Sequence, residues 1–222
     1  MMRDILFIDK PKGMSSFDVI RYLRRRFRED YPEMPMPKMG HAGTLDPLAS
    51  GLMIVGVGRG TKKLDRYLHL PKRYTVEILL GESRTTGDME GEIVETKEVT
   101  RLDKAVVKQV LRDIQTTLRL PVPRYSAVKM EGEKLYEKAR NGEEFDPPVR
   151  PMRVYHSKLL FLRRDLKENI ITVRLEVESG VYIRSIVEEI GRRLGYPATT
   201  FSLRRTKIGI IQVNDAQKLE DI

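Results

Sequence analysis

The chain has 222 residues, 40% hydrophobic and 33% charged, with no Cys and a net charge of +9. This is a globular composition, enough for one substantial core or two small ones, and it excludes disulfides, thiol nucleophiles and thiolate metal sites. The three His, at 41, 69 and 156, show no metal-ligand spacing, and no apolar run suggests a signal peptide or membrane span. We therefore expect a cytoplasmic protein without metal or cofactor. The charge is uneven: residues 1–73 hold 15 Lys and Arg against 8 Asp and Glu, and residues 119–222 hold 20 against 15. Residues 74–118 reverse the balance, with 6 against 9. Basic ends around an acidic middle favour a phosphate-binding face; a generic basic surface explains the charge as simply.

In chain order, residues 5–8 read as a short buried strand and Lys10-Pro11-Lys12-Gly13 as a basic turn. Ser15 or Ser16 caps a helix running to about Phe27, with Val19, Ile20, Leu23 and Phe27 on its apolar stripe. Arg21, Arg24, Arg25, Arg26 and Arg28 lie off that stripe, either as a solvated face or as phosphate contacts. Three prolines between 32 and 37 mark a loop. Residues 52–57 and 74–80 read as strands, 92–98 as an exposed strand, and 101–118 as a helix with Leu102, Val106, Val110, Ile114 and Leu118 inward. A helix over 133–141, stopped by Gly142, precedes a Pro-containing linker at 146–151. Two β segments, about 153–163 and 170–178, flank Lys167-Glu168-Asn169 as a hairpin. A helix over 183–194 stopped by Gly195, short strands over 199–213 and a terminal helical turn complete the chain. The expected fold is α+β, with a mixed, mostly antiparallel sheet and flanking helices in a single domain. The Pro-rich flanks of 121–150 mark a projecting insertion.

The most informative stretch is Gly40-His41-Ala42-Gly43-Thr44-Leu45-Asp46-Pro47-Leu48-Ala49-Ser50-Gly51. Its glycines allow positive φ or close backbone approach, and Pro47 pushes Asp46 toward extended geometry, so one carboxylate is held in a narrow range of directions. An isolated Asp-Pro is more simply an Asx turn that caps its own loop. The twelve residues together closely resemble the first signature of the TruB family, the tRNA pseudouridine(55) synthases. The resemblance covers nearly the whole chain, from Asp9-Lys-Pro-Lys-Gly-Met-Ser-Ser16 to about Gly209. Lys72-Arg73-Tyr74 resembles the family's second motif, Gly180-Val-Tyr182-Ile-Arg184-Ser its third, and Leu203-Arg204-Arg205 the short motif after it. Arg124-Tyr-Ser-Ala-Val-Lys129, followed by Leu135-Tyr136, resembles its RNA-gripping insertion.

The resemblance implies an isomerase that converts a uridine in the TΨC loop of tRNA to pseudouridine. Asp46 is then the nucleophile, Arg184 its partner, and Tyr74 the ring that stacks on the extruded uracil. Tyr182 and Leu203 line the base pocket, and His41 holds the displaced nucleotide out. Lys10, Lys12, Arg59, Lys62, Lys63, Arg124, Lys129, Arg204 and Arg205 are candidate phosphate contacts, which position RNA without specifying it. Asp88 matches a family carboxylate weakly, since Thr85 stands where a first Asp is expected. Most bacterial members continue into a C-terminal PUA-type RNA-binding domain, and residues 1–222 are expected to be the catalytic domain without it. The expected partner is the TΨC arm of tRNA, with no protein partner and no membrane, and the expected state is a monomer. Three other readings remain: a guide-RNA-dependent synthase, a non-catalytic RNA-binding module, and an N-glycosidase using Asp46.

Overall fold

The computed structural model describes residues 4–164 and 169–222. Its first elements are β1 (Ile5–Lys10), α1 (Ser16–Asp30), β2 (Met39–His41), β3 (Ser50–Val57), α2 (Asp65–Leu68), β4 (Lys72–Leu80), β5 (Glu82–Arg84) and β6 (Ile93–Thr96). Then come α3 (Lys104–Asp113), β7 (Thr117–Pro121), β8 (Lys129–Met130), β9 (Glu133–Lys134) and α4 (Leu135–Arg140). The last are β10 (Val149–Arg164), β11 (Asn169–Val177), α5 (Ile183–Leu194), β12 (Ala198–Ile208), β13 (Ile211–Gln212) and β14 (Gln217–Lys218). The strands are mixed and mostly antiparallel with few helices, as expected. Two compact units share the chain: residues 4–75 with 203–222, and residues 76–202. β4 and β12 each carry residues of both.

In the first unit the strand order is β14-β1-β3-β12, with β2 added to β3 and β13 to β12. β1 and β3 run antiparallel from Ile5↔Gly56 to Lys10↔Gly51. β3 and β12 run parallel, with Arg204 opposite Ser50 and Arg205 opposite Gly51. β3 reads as an unbroken apolar run because both of its faces are covered. Met53, Val55 and Val57 pack with Leu6, Ile8 and the α1 stripe of Val19, Ile20, Leu23 and Phe27. Leu52 and Ile54 pack on the other side with Ala42 and Ile208. α1 starts at a full capping box: the Ser15 hydroxyl accepts from the Asp18 N–H, and the Asp18 carboxylate accepts from the Ser15 N–H. Its arginines are largely spoken for on the helix itself. Arg21 pairs with Asp18, Arg25 with Glu29, and Arg26 with Glu29 and Asp30.

In the second unit the order is β4-β11-β10-β7. β10 and β11 are antiparallel from Val154↔Val177 to Arg164↔Asn169, with two bulges. The expected hairpin is therefore present, while Lys167 and Glu168 lie outside the described residues. The helix expected over 101–118 is shorter, because Asp103 caps it and Ile114 ends it. The β-branched pair Thr116-Thr117 then turns the chain into β7, which buries Leu118 and Leu120 by strand alternation. The inward stripe is Val107, Val110, Leu111 and Ile114, and Val106 faces water. Residues 133–134 are a strand rather than a helix start: β8 and β9 form a hairpin whose bend, Glu131-Gly132, has positive φ at both residues. The 121–150 segment leaves and rejoins the sheet at one point, where Pro121 faces Val149 and the Val122 N–H donates to the Pro148 carbonyl at 3.1 Å. α5 ends at Gly195, whose φ of 82° is left-handed.

Gly51 illustrates how tightly the first unit is built. It has φ +104°, and a Cβ there would lie 2.2 Å from the Arg205 carbonyl oxygen. Gly51→Ala should cost more than about 3 kcal/mol in denaturant unfolding, since the clash is with backbone on the paired strand. Gly13→Ala has left-handed φ but nothing within 4 Å. It should cost only about 1–2 kcal/mol.

Candidate active site

Asp46 sits half-buried in the turn between β2 and β3. The residue before it is gripped by α1. The buried Ser16 hydroxyl donates to the Leu45 carbonyl at 3.1 Å and accepts from the Leu45 N–H at 2.8 Å. The residue after it is held by the basic turn, because the Gly13 N–H donates to the Pro47 carbonyl at 2.8 Å. Asp46's own carbonyl accepts from the Ala49 N–H at 3.0 Å. The peptide on either side of the carboxylate is thus fixed by hydrogen bonds, which aims the side chain before any ligand arrives.

Arg205 secures the other end of the turn. Its Nε donates to the Leu52 carbonyl at 2.7 Å, and its Nη2 and Nη1 donate to the Gly43 and Thr44 carbonyls at 3.1 and 3.5 Å. Among the described residues it has no carboxylate partner. Lys72 also points inward and donates to the Leu68 carbonyl. Its pKa falls from 10.5 to about 8, first because burial disfavours the charge and second because Arg205 is close. His41 is pushed below its usual value by the same two causes and in the same order, so it is neutral at pH 7. Its Nδ1 is buried without a hydrogen-bond partner among the described residues. Tyr74 and Leu203 are both buried in this unit.

Of the other predicted residues of the first unit, some turn inward and some face water. Lys10 is fully buried, and its ammonium turns onto the carbonyls of Pro11 and Met14, so it braces the basic turn instead of facing phosphate. Arg205, an expected phosphate contact, is interior for the reason given above. Arg204 makes a two-pronged pair with Asp9 at 2.7 and 3.0 Å. Lys12, Arg59, Lys62 and Lys63 are exposed, the last paired with Asp4.

The second unit holds the remaining candidates. Tyr182 is the N-cap of α5 and half-exposed. Arg184, in the first turn of α5, is 6% exposed. Its Nη1 donates to the Thr86 carbonyl at 2.8 Å and lies 3.7 Å from the Asp88 carboxylate, while its Nη2 donates to the Tyr125 carbonyl at 3.1 Å. Asp88 is itself buried and accepts from the Thr86 hydroxyl at 2.5 Å and the Glu90 N–H at 3.1 Å. Within this unit Arg184 therefore ties the 84–88 loop to the start of the 121–150 segment. Ser185 adds a second tie, donating to the Pro121 carbonyl at 2.7 Å. Arg124 and Lys129 are exposed on the segment, and Arg124 stacks on Phe145 at 4.5 Å.

Residues 31–183 match the family model described as TruB family pseudouridylate synthase, N terminal domain. A protein named tRNA pseudouridine synthase B from Corynebacterium glutamicum (strain R) is 35% identical over 218 residues, 98% of this chain and 71% of that protein. The chain belongs to the TruB family of pseudouridylate synthases. A relative of the same name from Bacillus cytotoxicus is 38% identical over 224 residues, again 71% of its length. Among solved structures, the crystal structure of a Cbf5-Nop10-Gar1 complex matches with a TM-score of 0.71 at 24% identity. This match covers 98% of the present chain but only 52% of the chain it is compared with, and it bears on the fold alone. Among the described residues, no helix is long and apolar enough to cross a membrane, and no cluster of His, Asp and Glu has the makings of a metal site.

Sequence reasoning did not find Ser16 or Lys72 as site residues. Ser16 was weighed only as a helix cap, and Ser15 takes that task. The signal for Lys72 was its alternation with Tyr74 along a strand, which puts both on one face. Removing the Ser16 hydroxyl strands a buried N–H and a buried carbonyl of Leu45. Ser16→Ala should therefore lower unfolding stability by about 2–4 kcal/mol, measured by denaturant titration. Ser15→Ala, which loses an exposed-end cap, should cost about 1 kcal/mol.

Proposed function

We propose that this TruB-family enzyme isomerises the uridine at position 55, in the TΨC loop of tRNA, to pseudouridine. The observation that carries the reading is the match along nearly the whole chain, at 35–38% identity, to relatives named tRNA pseudouridine synthase B. The reaction breaks the C1′–N1 bond and joins C1′ to C5 of the same ring. The C5 proton leaves and N1 takes one up, so no redox partner is needed. A uridine inside a folded arm must first be turned out of its stack.

In this reading Asp46 is the nucleophile. The hydrogen bonds around Leu45 and Pro47 support it, because a pre-aimed carboxylate loses little freedom on reaching the transition state. Tyr74 is the aromatic platform, and Leu203 and Tyr182 are walls for the base. Neutral His41, with an unsatisfied ring nitrogen, supports a role in hydrogen-bonding the displaced nucleotide. Arg184 supplies the immobile cation of the reaction, and Arg124 and Lys129 grip the RNA backbone. Recognition comes from the shape of the folded arm and its unpaired loop bases. The enzyme works in the cytoplasm as a monomer, without guide RNA or protein partner. A guide-dependent synthase is the less favoured reading, since the resemblance to Cbf5 is one of fold.

Purified protein incubated with unmodified tRNA should convert that uridine alone, as read by nucleotide-resolution mapping. Asp46→Ala should lower the single-turnover rate by at least about 10⁴-fold, while tRNA affinity stays within a few-fold. No pseudouridine from a folded wild-type protein would refute the assignment. Free uracil as product would point to the glycosidase, and conversion only after adding guide RNA to the guide-dependent enzyme.

A further inference from the structure

Taking a cation out of water is costly unless oxygen atoms replace its hydration shell. The first unit does this twice at one place. Arg205 is 1% exposed and Lys72 is 4% exposed. A Cβ on Gly43 would lie 3.7 Å from Nη1 of Arg205 and 3.9 Å from Cε of Lys72. Both side chains therefore lie against the same glycine of the turn that carries Asp46. Strand geometry explains how they reach it. Lys72 is two residues before Tyr74 on β4, and Arg205 is two residues after Leu203 on β12. Alternation puts each pair on one face of its strand, and the burial patterns agree. Each strand thus supplies one residue assigned to the base pocket and, on the same face, one buried cation.

Packing alone does not call for this arrangement. Two like charges side by side raise each other's cost, yet both side chains lie against one glycine. We propose that Lys72 and Arg205 are a positioning pair for the isomerisation: two buried cations behind the Gly43 bend that fix the turn carrying Asp46. The proposal rests on the reading of the chain as a pseudouridine synthase with Asp46 as nucleophile. Arg205 acts through the Gly43 and Thr44 carbonyls that it holds. Lys72 bridges from the Leu68 carbonyl, at the end of α2, to the back of the same bend.

Lys72 is also the member whose charge is least secure, with a pKa brought down to about 8 by burial and then by Arg205. Arg205 from β12 lies with it against Gly43, and Tyr74 shares its face of β4. Asp65 and His69, at the two ends of α2, are largely in water. The sign of the linkage is definite. Lys72 binds its proton more weakly in the folded chain than in the unfolded one, so its charge is a stability cost below pH 8. That cost is relieved as the pH rises through 8 toward 10.5. An apolar replacement should remove the cost at neutral pH, while a requirement for the cation should show in the rate.

The test compares the wild-type chain with Lys72→Met and Lys72→Arg. The readouts are single-turnover pseudouridine formation on unmodified tRNA from pH 6.5 to 9.5, tRNA binding by filter retention, and the thermal midpoint. Lys72→Met should slow the single-turnover step by about 30-fold or more at pH 7.5, with Kd within about threefold and a midpoint at pH 7 no lower than wild type. The wild-type rate should fall as the pH passes 8, and Lys72→Arg should keep most of the rate and move that alkaline limb upward. A Lys72→Met rate within threefold of wild type overturns the proposal, as does a loss confined to Kd or a wild-type rate flat to pH 9.5. If Lys72→Met does not fold, the pH profiles of the wild type and Lys72→Arg decide the matter. A wild type that makes no pseudouridine removes the functional reading itself, and this proposal with it.

Discussion

The structure of the first unit depends on one hydroxyl. The Ser16 side chain both donates to and accepts from the backbone of Leu45, 29 residues further on. A loop between strands normally meets its hydrogen-bond needs through its own turns or through water. Here the first turn of α1 satisfies Leu45, so the helix and the loop hold each other in place. Asp46 comes directly after that clamp, and Pro47 is held in turn by Gly13. The basic turn at 10–13 and the serines at 15–16 therefore form one device. Lys10 braces the turn, Ser15 starts the helix, and Ser16 fixes the neighbour of the carboxylate.

A second constraint is electrostatic. Arg205 and Lys72 lie behind the turn, and Arg205 is neutralised by carbonyl dipoles with no formal negative charge against it among the described residues. Such an arrangement opposes a proton on His41, whose pKa falls first through burial and then through Arg205. One buried guanidinium thus acts in two ways. It fixes backbone geometry through hydrogen bonds, and it adds to burial in holding His41 below its usual pKa. The parallel pairing of β12 with β3 allows both, because it brings Arg205 opposite Gly51, where a side chain would strike backbone.

Much of this was legible in the sequence, for identifiable reasons. The α1 stripe, the Gly195 stop and the β10–β11 pairing follow periodicities that local physics enforces, and the structure repeats them nearly residue for residue. The helix after Asp103 was overextended because Leu118 fits a helical stripe as well as a strand alternation. Only the β-branched pair Thr116-Thr117 separated the two. The direction of long basic side chains was not legible. Lys10, Arg204 and Arg205 read as phosphate contacts by composition, yet two of them point inward and the third pairs with Asp9. Their partners are carbonyls and a carboxylate brought close by folding, and no spacing along the chain encodes that. For the same reason Ser16 was visible only as half of an ambiguous cap.

The departure at Thr85 has a physical resolution within the second unit. The Thr85 hydroxyl accepts from the Glu92 N–H at 3.1 Å, and the Thr85 N–H donates to the Glu92 carbonyl at 2.9 Å, so this residue closes the base of the 85–92 loop. A carboxylate there would place a second negative charge in a loop that already buries one, because Asp88 is inside and pairs with Arg184. A neutral hydroxyl makes the closing contact without that repulsion. Arg184 then has the Asp88 carboxylate beside it, and the carbonyls of Thr86 and Tyr125 orient its guanidinium. The loop and the 121–150 segment share a single cation, so a change in either is felt by the other through Arg184.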